Sequence, residues 1–147
     1  MTETTTATAT GGVIERELRI AAAPDTVFEF WVEPSRIVQW MGRTATFDAR
    51  PGGLFRLDYN GSDIASGEIV AIDRPHRIVL TWGWEAPGDP TPPGASTVEV
   101  TFTADGDGTL LRLRHSGLAA EAVEGHEVGW DQFLPGLANV AAADSNG

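Results

Sequence analysis

The sequence predicts an α+β fold: a curved antiparallel sheet of six to seven strands wrapped around one long C-terminal helix, with two short helices after the first strand. Three observations predict it. Short runs of alternating apolar and polar residues recur from Val13 to Ser116, broken by Gly-, Asn- and Asp-rich turns, the pattern of a meandering antiparallel sheet. One long stretch of helical spacing, about Ala119 to Ala142, stands at the end of the chain. A sheet of this size bares an apolar face, and that helix is the remaining element long enough to cover it.

The elements follow in order. In Val13–Ile20, Ile14, Arg16, Leu18 and Ile20 alternate with Val13, Glu15, Glu17 and Arg19, which is strand periodicity. Pro24 and Asp25 open a short helix, proline suiting a first turn. Its apolar stripe is Val27, Phe30 and Trp31. A second short turn or helix follows Pro34 and ends near Trp40-Met41-Gly42. Strands are then predicted over Thr44–Asp48, Leu54–Tyr59, Ile64–Ile72, Arg77–Trp84, Ser96–Thr103 and Thr109–Ser116. Asn60-Gly61 is a strong hairpin signal. Residues 86–95 (APGDPTPPGA) read as a long surface hairpin loop. In the last helix Val123, His126, Trp130, Phe133, Leu134, Leu137 and Val140 share helical spacing. Gly125, Gly129 and Gly136 lower its propensity, and Pro135 should kink it.

Alternation also predicts which residues face inward. Ile78, Leu80, Trp82 and Trp84 form one row. Val98, Val100 and Phe102 form a second, Leu111, Leu113 and His115 a third, and Phe55, Leu57 and Tyr59 a fourth. Ile64–Ile72 is ambiguous: if Val70 and Ile72 face in, so does Glu68, unless Gly67 marks a bulge.

Length and charge bound the function. At 147 residues the chain is one domain, expected over residues 13–143 between a Thr-rich tail at 1–12 and a short tail at 144–147. The formal charge is −11, from 21 acids and ten bases. All ten are Arg, so a basic patch for nucleic acid or an anionic membrane is not expected. There is no Cys, which excludes disulfides, thiol nucleophiles and thiolate metal sites. No signal-peptide pattern and no apolar run of membrane-spanning length is present, and a cytoplasmic location is expected.

The order of one strand, two short helices, six strands and a long helix resembles the birch-pollen-allergen/START-like superfamily, also called SRPBCC, whose architecture is the helix-grip fold. Four segments resemble one branch of it, the homologues of the C-terminal domain of the activator of the heat-shock-protein-ninety ATPase. They are APDTVFEFWVEP with QWM after it, DARPGGLFRLD, GEIVAIDRPHRIVLTW and GHEVGWDQFLPGL. The resemblance covers about residues 13–142. It implies the fold strongly and function weakly. Such proteins include co-chaperone domains, lipid and polyketide binders, aromatase/cyclases and proteins that sequester toxic small molecules. It transfers no universal catalytic residue. The separate N-terminal domain of the co-chaperones is missing from the sequence, so co-chaperone action is not expected.

A sheet wrapped on one helix leaves an apolar cavity, the usual composition of a small-molecule site. The expected ligand is hydrophobic: aromatic, polyketide-like or lipid-like. Trp82 and Trp84 are candidates to stack on it, or plain core. Trp40 is a candidate at the mouth, or a plug. Phe55 and Trp130 belong to the expected lining, and Tyr59 either orients a ligand or caps the sheet rim. His115 and His126 are candidates to hydrogen-bond a ligand or to act as acid and base near neutral pH. Their plainer readings are a strand-end His bonded to a loop and a part-exposed helix residue. HEVGW (126–130) is no zinc motif, because Trp130 stands where a second His is required. Asp105-Gly106-Asp107-Gly108 begins like a calcium loop, but its twelfth position is Ser116, so a hairpin turn is the better reading. No cofactor or metal is expected. The first reading is a binder of a hydrophobic small molecule. The alternatives are a cyclase, aromatase or hydrolase using a pocket His, and a protein-interaction module. The acidic exterior favours neutral or cationic ligands unless an Arg reaches the mouth.

Overall fold

The structure is a computed structural model and describes residues 12–146. Its elements are β1 (Gly12–Ile20), α1 (Pro24–Val32), α2 (Pro34–Ile37), β2 (Thr44–Phe47), β3 (Leu54–Asp58), β4 (Ile64–Asp73), β5 (Arg77–Trp84), β6 (Ser96–Asp105), β7 (Gly108–Leu118) and α3 (Ala120–Asn146). The seven strands form one antiparallel sheet in the order β1-β7-β6-β5-β4-β3-β2. It is a curved open sheet gripped around α3, as the sequence predicts. Among the described residues no helix is long and apolar enough to cross a membrane.

Register explains the core. Leu80, Val98, His115 and Ile14 lie side by side on four neighbouring strands, as do Ile78, Val100 and Leu113 on three. These rows are buried and form the floor under α3. The outer face is a lattice of cross-strand ion pairs: Arg77 with Glu99, Arg112 with Glu17, Arg114 with Glu15. Exposed pairs of this kind add little stability, but they leave that face polar. At the sheet edge Arg16 reaches α3 and grips Asp131 with two hydrogen bonds of 2.7 and 3.2 Å. This contact holds the Asp131 carboxyl below its ordinary value.

Three expectations are corrected. The bulge in β4 is not at Gly67. It falls between Ile69, opposite Leu80, and Ala71, opposite Val79. The extra residue resets the alternation, so Ile69 and Ile72 both pack inward while Glu68 and Val70 are exposed. Gly67 serves close approach instead: a Cβ there would collide with the Thr81 carbonyl. The first strand opens at Gly12, so the tail expected over residues 1–12 loses its last residue to the sheet, and the rest of it lies outside the described residues. Helix α3 runs to Asn146, through most of the expected tail at 144–147. Pro135 lies inside this helix on its exposed side, where the carbonyl that loses its donor is open to water.

Candidate functional site

A cavity of about 520 Å³ opens at one end of the fold. Three walls enclose it: the β3–β4 hairpin, the end of β5 with the loop that follows, and the first half of α3. Its aromatic surface comes from Tyr59, Trp82, Trp84, Trp130 and Phe133. The cavity does not run through the middle of the molecule. There Phe28, Trp31 and Phe102 pack against one another with ring centroids 5.3 and 6.5 Å apart, and Trp40 and Trp130 close on Trp31 at 4.9 and 6.2 Å.

Of the eight sequence candidates, Tyr59, Trp82, Trp84, His126 and Trp130 line the cavity, and Trp40, Phe55 and His115 do not. Trp40 is a plug: its indole N–H donates to the Phe30 carbonyl at 2.8 Å, tying the segment after α2 to α1. Phe55 lies behind the wall, stacked on Trp82 at 5.4 Å. His115 is fully buried beneath Trp82 and Trp130.

The two histidines are held by complementary hydrogen bonds. An indole N–H only donates, so a ring nitrogen facing one must be the acceptor. Trp130 donates to His115 Nδ1 at 3.1 Å. His115 therefore carries its proton on Nε2 and donates to Ser96 Oγ at 2.8 Å, and Ser96 donates to the Trp82 carbonyl at 2.7 Å. Trp84 donates to His126 Nε2 at 2.9 Å, which leaves His126 Nδ1 to donate to the Ala122 carbonyl at 2.7 Å. All four ring nitrogens are occupied. Burial, and secondarily the neighbouring His126, pushes the His115 pKa down to about 3, so it is neutral at physiological pH. His115 and His126 meet edge to face, 5.1 Å between centroids.

The Tyr59 ring touches Trp84 and Phe133, with centroids 5.5 and 5.6 Å away. Burial alone raises its phenol above the ordinary value, so it stays uncharged and offers one donor and two acceptor sites. The Trp82 indole N–H is buried without a partner. It is covered, so a guest meets the ring rather than the donor.

Sequence reading missed Phe133, Gly125 and Gly129 as lining residues. The signal was present. Residues 125, 129 and 133 are spaced i, i+4 and i+8, one helix face, beside His126 and Trp130. A Cβ built on Gly125 or Gly129 meets nothing within 4 Å, so both glycines leave space over the cavity. The β5–β6 loop joins antiparallel neighbours and is mostly exposed, the surface hairpin loop the sequence predicts, but its Thr91 folds back on the sheet. Trp84 N–H donates to the Thr91 carbonyl at 2.7 Å, and Thr91 is fully buried. This requires Gly83, where a Cβ would collide with the Pro92 carbonyl. Gly83→Ala is expected to lift the loop and to lower stability by roughly 1–3 kcal/mol, the usual cost of an overpacked site. Thermal melts check this, and an unchanged midpoint would show that the loop yields freely.

Among the described residues no group of three or more His, Asp or Glu is arranged to hold a metal ion. Asp105 and Asp107 of the β6–β7 turn bind Arg19.

The family model described as activator of Hsp90 ATPase homolog 1-like protein matches residues 21–142. No curated protein matches the chain. Solved structures do. The AHSA1-like protein RHE_CH02687 from Rhizobium etli is 41% identical, over 90% of this chain and 82% of its own, with a TM-score of 0.72. CalU16 from Micromonospora echinospora is 32% identical, over 87% of this chain and 73% of its own, with a TM-score of 0.72. PFC0360w, an HSP90 activator from Plasmodium falciparum, is 25% identical, over 87% of this chain and 94% of its own, with a TM-score of 0.74. With the family model spanning most of the chain, from the end of β1 well into α3, this protein belongs to the activator of Hsp90 ATPase homolog 1-like family.

Proposed function

We propose that the protein binds a hydrophobic small molecule, flat and aromatic in part, in the cavity between the β3–β4 hairpin, β5 and α3. The observation that carries this reading is the cavity itself: about 520 Å³, open at one end and walled by five large aromatic rings. That volume is within the range of small-molecule sites. Rings whose outer faces lack an intramolecular partner gain dispersion and apolar burial when a guest covers them. The Tyr59 hydroxyl supplies a point of orientation.

The state of the histidines supports binding over acid/base chemistry. A general base needs a free lone pair within reach of the proton it removes. His115 is off the cavity, and its lone pair is taken by Trp130. His126 is on the cavity, and its lone pair is taken by Trp84. To act on a guest, His126 would have to give up its indole donor.

The test is titration with a neutral, environment-sensitive naphthalene probe. Saturable uptake of one probe per chain is expected. Trp84→Ala is expected to weaken it by about tenfold, in line with the roughly 1–2 kcal/mol of a lost aromatic contact. The absence of saturable uptake by the unaltered protein would overturn the reading.

A further inference from the structure

The rim of the cavity carries charge of one sign. Asp63 stands on the β3–β4 hairpin, Asp89 on the β5–β6 loop and Glu121 in the first turn of α3, one carboxylate on each wall. No arginine lines the cavity. The reason is visible across the whole molecule. The chain has ten Arg and no Lys, and each Arg lies within 4.0 Å of a carboxylate elsewhere. Arg16 holds Asp131, Arg19 holds Asp105, and Arg36 holds Asp144. Arg43 pairs with Asp58, Arg50 with Asp48, Arg56 with Glu85 and Arg74 with Glu29. The last three, Arg77, Arg112 and Arg114, form the outer lattice. Asp63, Asp89 and Glu121 have no cationic partner among the described residues.

Each rim acid has a local role. Asp63 accepts from the Asn60 amide at 2.8 Å, Asp89 caps the Thr91 N–H at 2.8 Å, and Glu121 suits a helix N-terminus. Those roles explain an acid at each place. They leave three carboxylates around one opening that has no arginine among its lining residues. The rings beneath are also free of cations. The two arginine-over-ring contacts are at Phe30 and Phe28, away from the cavity. Among the described residues the carboxylates are not grouped as a metal site.

We infer that the cavity selects an organic cation: a protonated amine or quaternary ammonium carried on an apolar or aromatic body. This rests on the binding reading above and adds the charge of the ligand. The body fills the aromatic cavity, and the cationic group lies against Tyr59, Trp84 or Phe133, attracted by the ring faces and by the rim carboxylates. The net charge of −11 adds a long-range attraction that draws cations to the opening.

The experiment uses three naphthalene probes that share one body and differ in one substituent: trimethylammonium, the isosteric neutral tert-butyl, and sulfonate. Affinities are measured by tryptophan fluorescence at neutral pH, for the unaltered protein and for the double variant Asp89→Asn, Glu121→Gln. The expected order is trimethylammonium, tert-butyl, sulfonate, with about tenfold between the first two, the scale of a partly desolvated cation–π contact. The double variant should cut the trimethylammonium-to-tert-butyl affinity ratio about threefold, an effect that weakens with salt. Tert-butyl binding as tightly as trimethylammonium, or sulfonate binding best, overturns the cation inference and leaves the cavity reading standing. A cation preference untouched by the double variant overturns the part given to the rim. Failure of all three probes to bind overturns both readings.

Discussion

Gly129→Leu is expected to abolish uptake of a neutral naphthalene probe and to raise the thermal midpoint by about 3 °C. Both halves follow from one observation. A Cβ at Gly129 meets nothing within 4 Å, and Gly129 lines the cavity. Leucine therefore adds its side chain to empty space, against the faces of Tyr59, Trp84 and Phe133, where the guest is to lie. A glycine inside a helix costs roughly 0.5–1 kcal/mol relative to alanine, because its backbone loses more freedom on folding. Removing it from α3 recovers about that much, which is about 3 °C for a chain of this size. Gly129→Ala is the control: it makes the same helical gain, and its small methyl leaves most of the cavity open. Gly125 and Gly129 thus leave open space at two positions of one helix face. Probe affinity unchanged in Gly129→Leu would place the guest elsewhere. A fall in the midpoint would mean that the glycine serves packing.

The second large effect is a pH dependence of stability centred on His115. Its side chain is fully buried in the row Leu80, Val98, Ile14, and both its nitrogens are paired. Protonation would bury a charge and turn the Nδ1 acceptor into a donor facing the Trp130 N–H. In the unfolded chain the imidazole takes up a proton near its ordinary 6.5, and in the folded protein only near about 3. Between those values the unfolded state binds more protons, so stability falls as pH falls. The slope is about 1.4 kcal/mol per pH unit well below 6.5, or roughly 2 kcal/mol lost between pH 6.5 and 5. Well above 6.5 the contribution is fully present and flat. His115→Gln keeps an acceptor for Trp130 and a donor for Ser96 without a titrating group. It should flatten urea-denaturation stability over that window relative to the unaltered protein. His115→Ala orphans the Trp130 N–H and leaves a cavity, and should cost about 3–5 kcal/mol at neutral pH. Equal pH slopes for His115→Gln and the unaltered protein would show that this ring does not set the acid limit.

The two histidines show what sequence reading reaches and where it stops. Inward facing of His115 was legible, because it continues the row Leu111, Leu113. That it lies beneath Trp82 rather than on the cavity was not, because alternation gives a face and not a depth. The same gap separates Trp82 and Trp84 at the cavity from Phe55 behind it: all three face inward, and the placement of α3 decides which of them is covered. In β4 the alternation itself failed. Its bulge is set by the mismatch between Val70-Ala71 and the single opposing step Leu80-Val79, a property of the pair of strands and not of a glycine in one. The spaced glycines of α3 were visible, and were read as weak helix propensity rather than as space.

The sequence by itself determined the element order, the inward rows and hence the helix-grip fold, because the period of two in strands and the helical stripe are local properties of the chain. It also determined that every cation is an arginine and that acids outnumber them. Tertiary structure alone decided where the cavity lies, which aromatic rings line it, which nitrogen of each histidine carries the proton, and that no arginine lines it. These depend on contacts between residues far apart in the chain: Trp130 on His115, Trp84 on His126, Arg16 on Asp131. The packing of α3 on the sheet brings those partners together, and no local pattern encodes that packing.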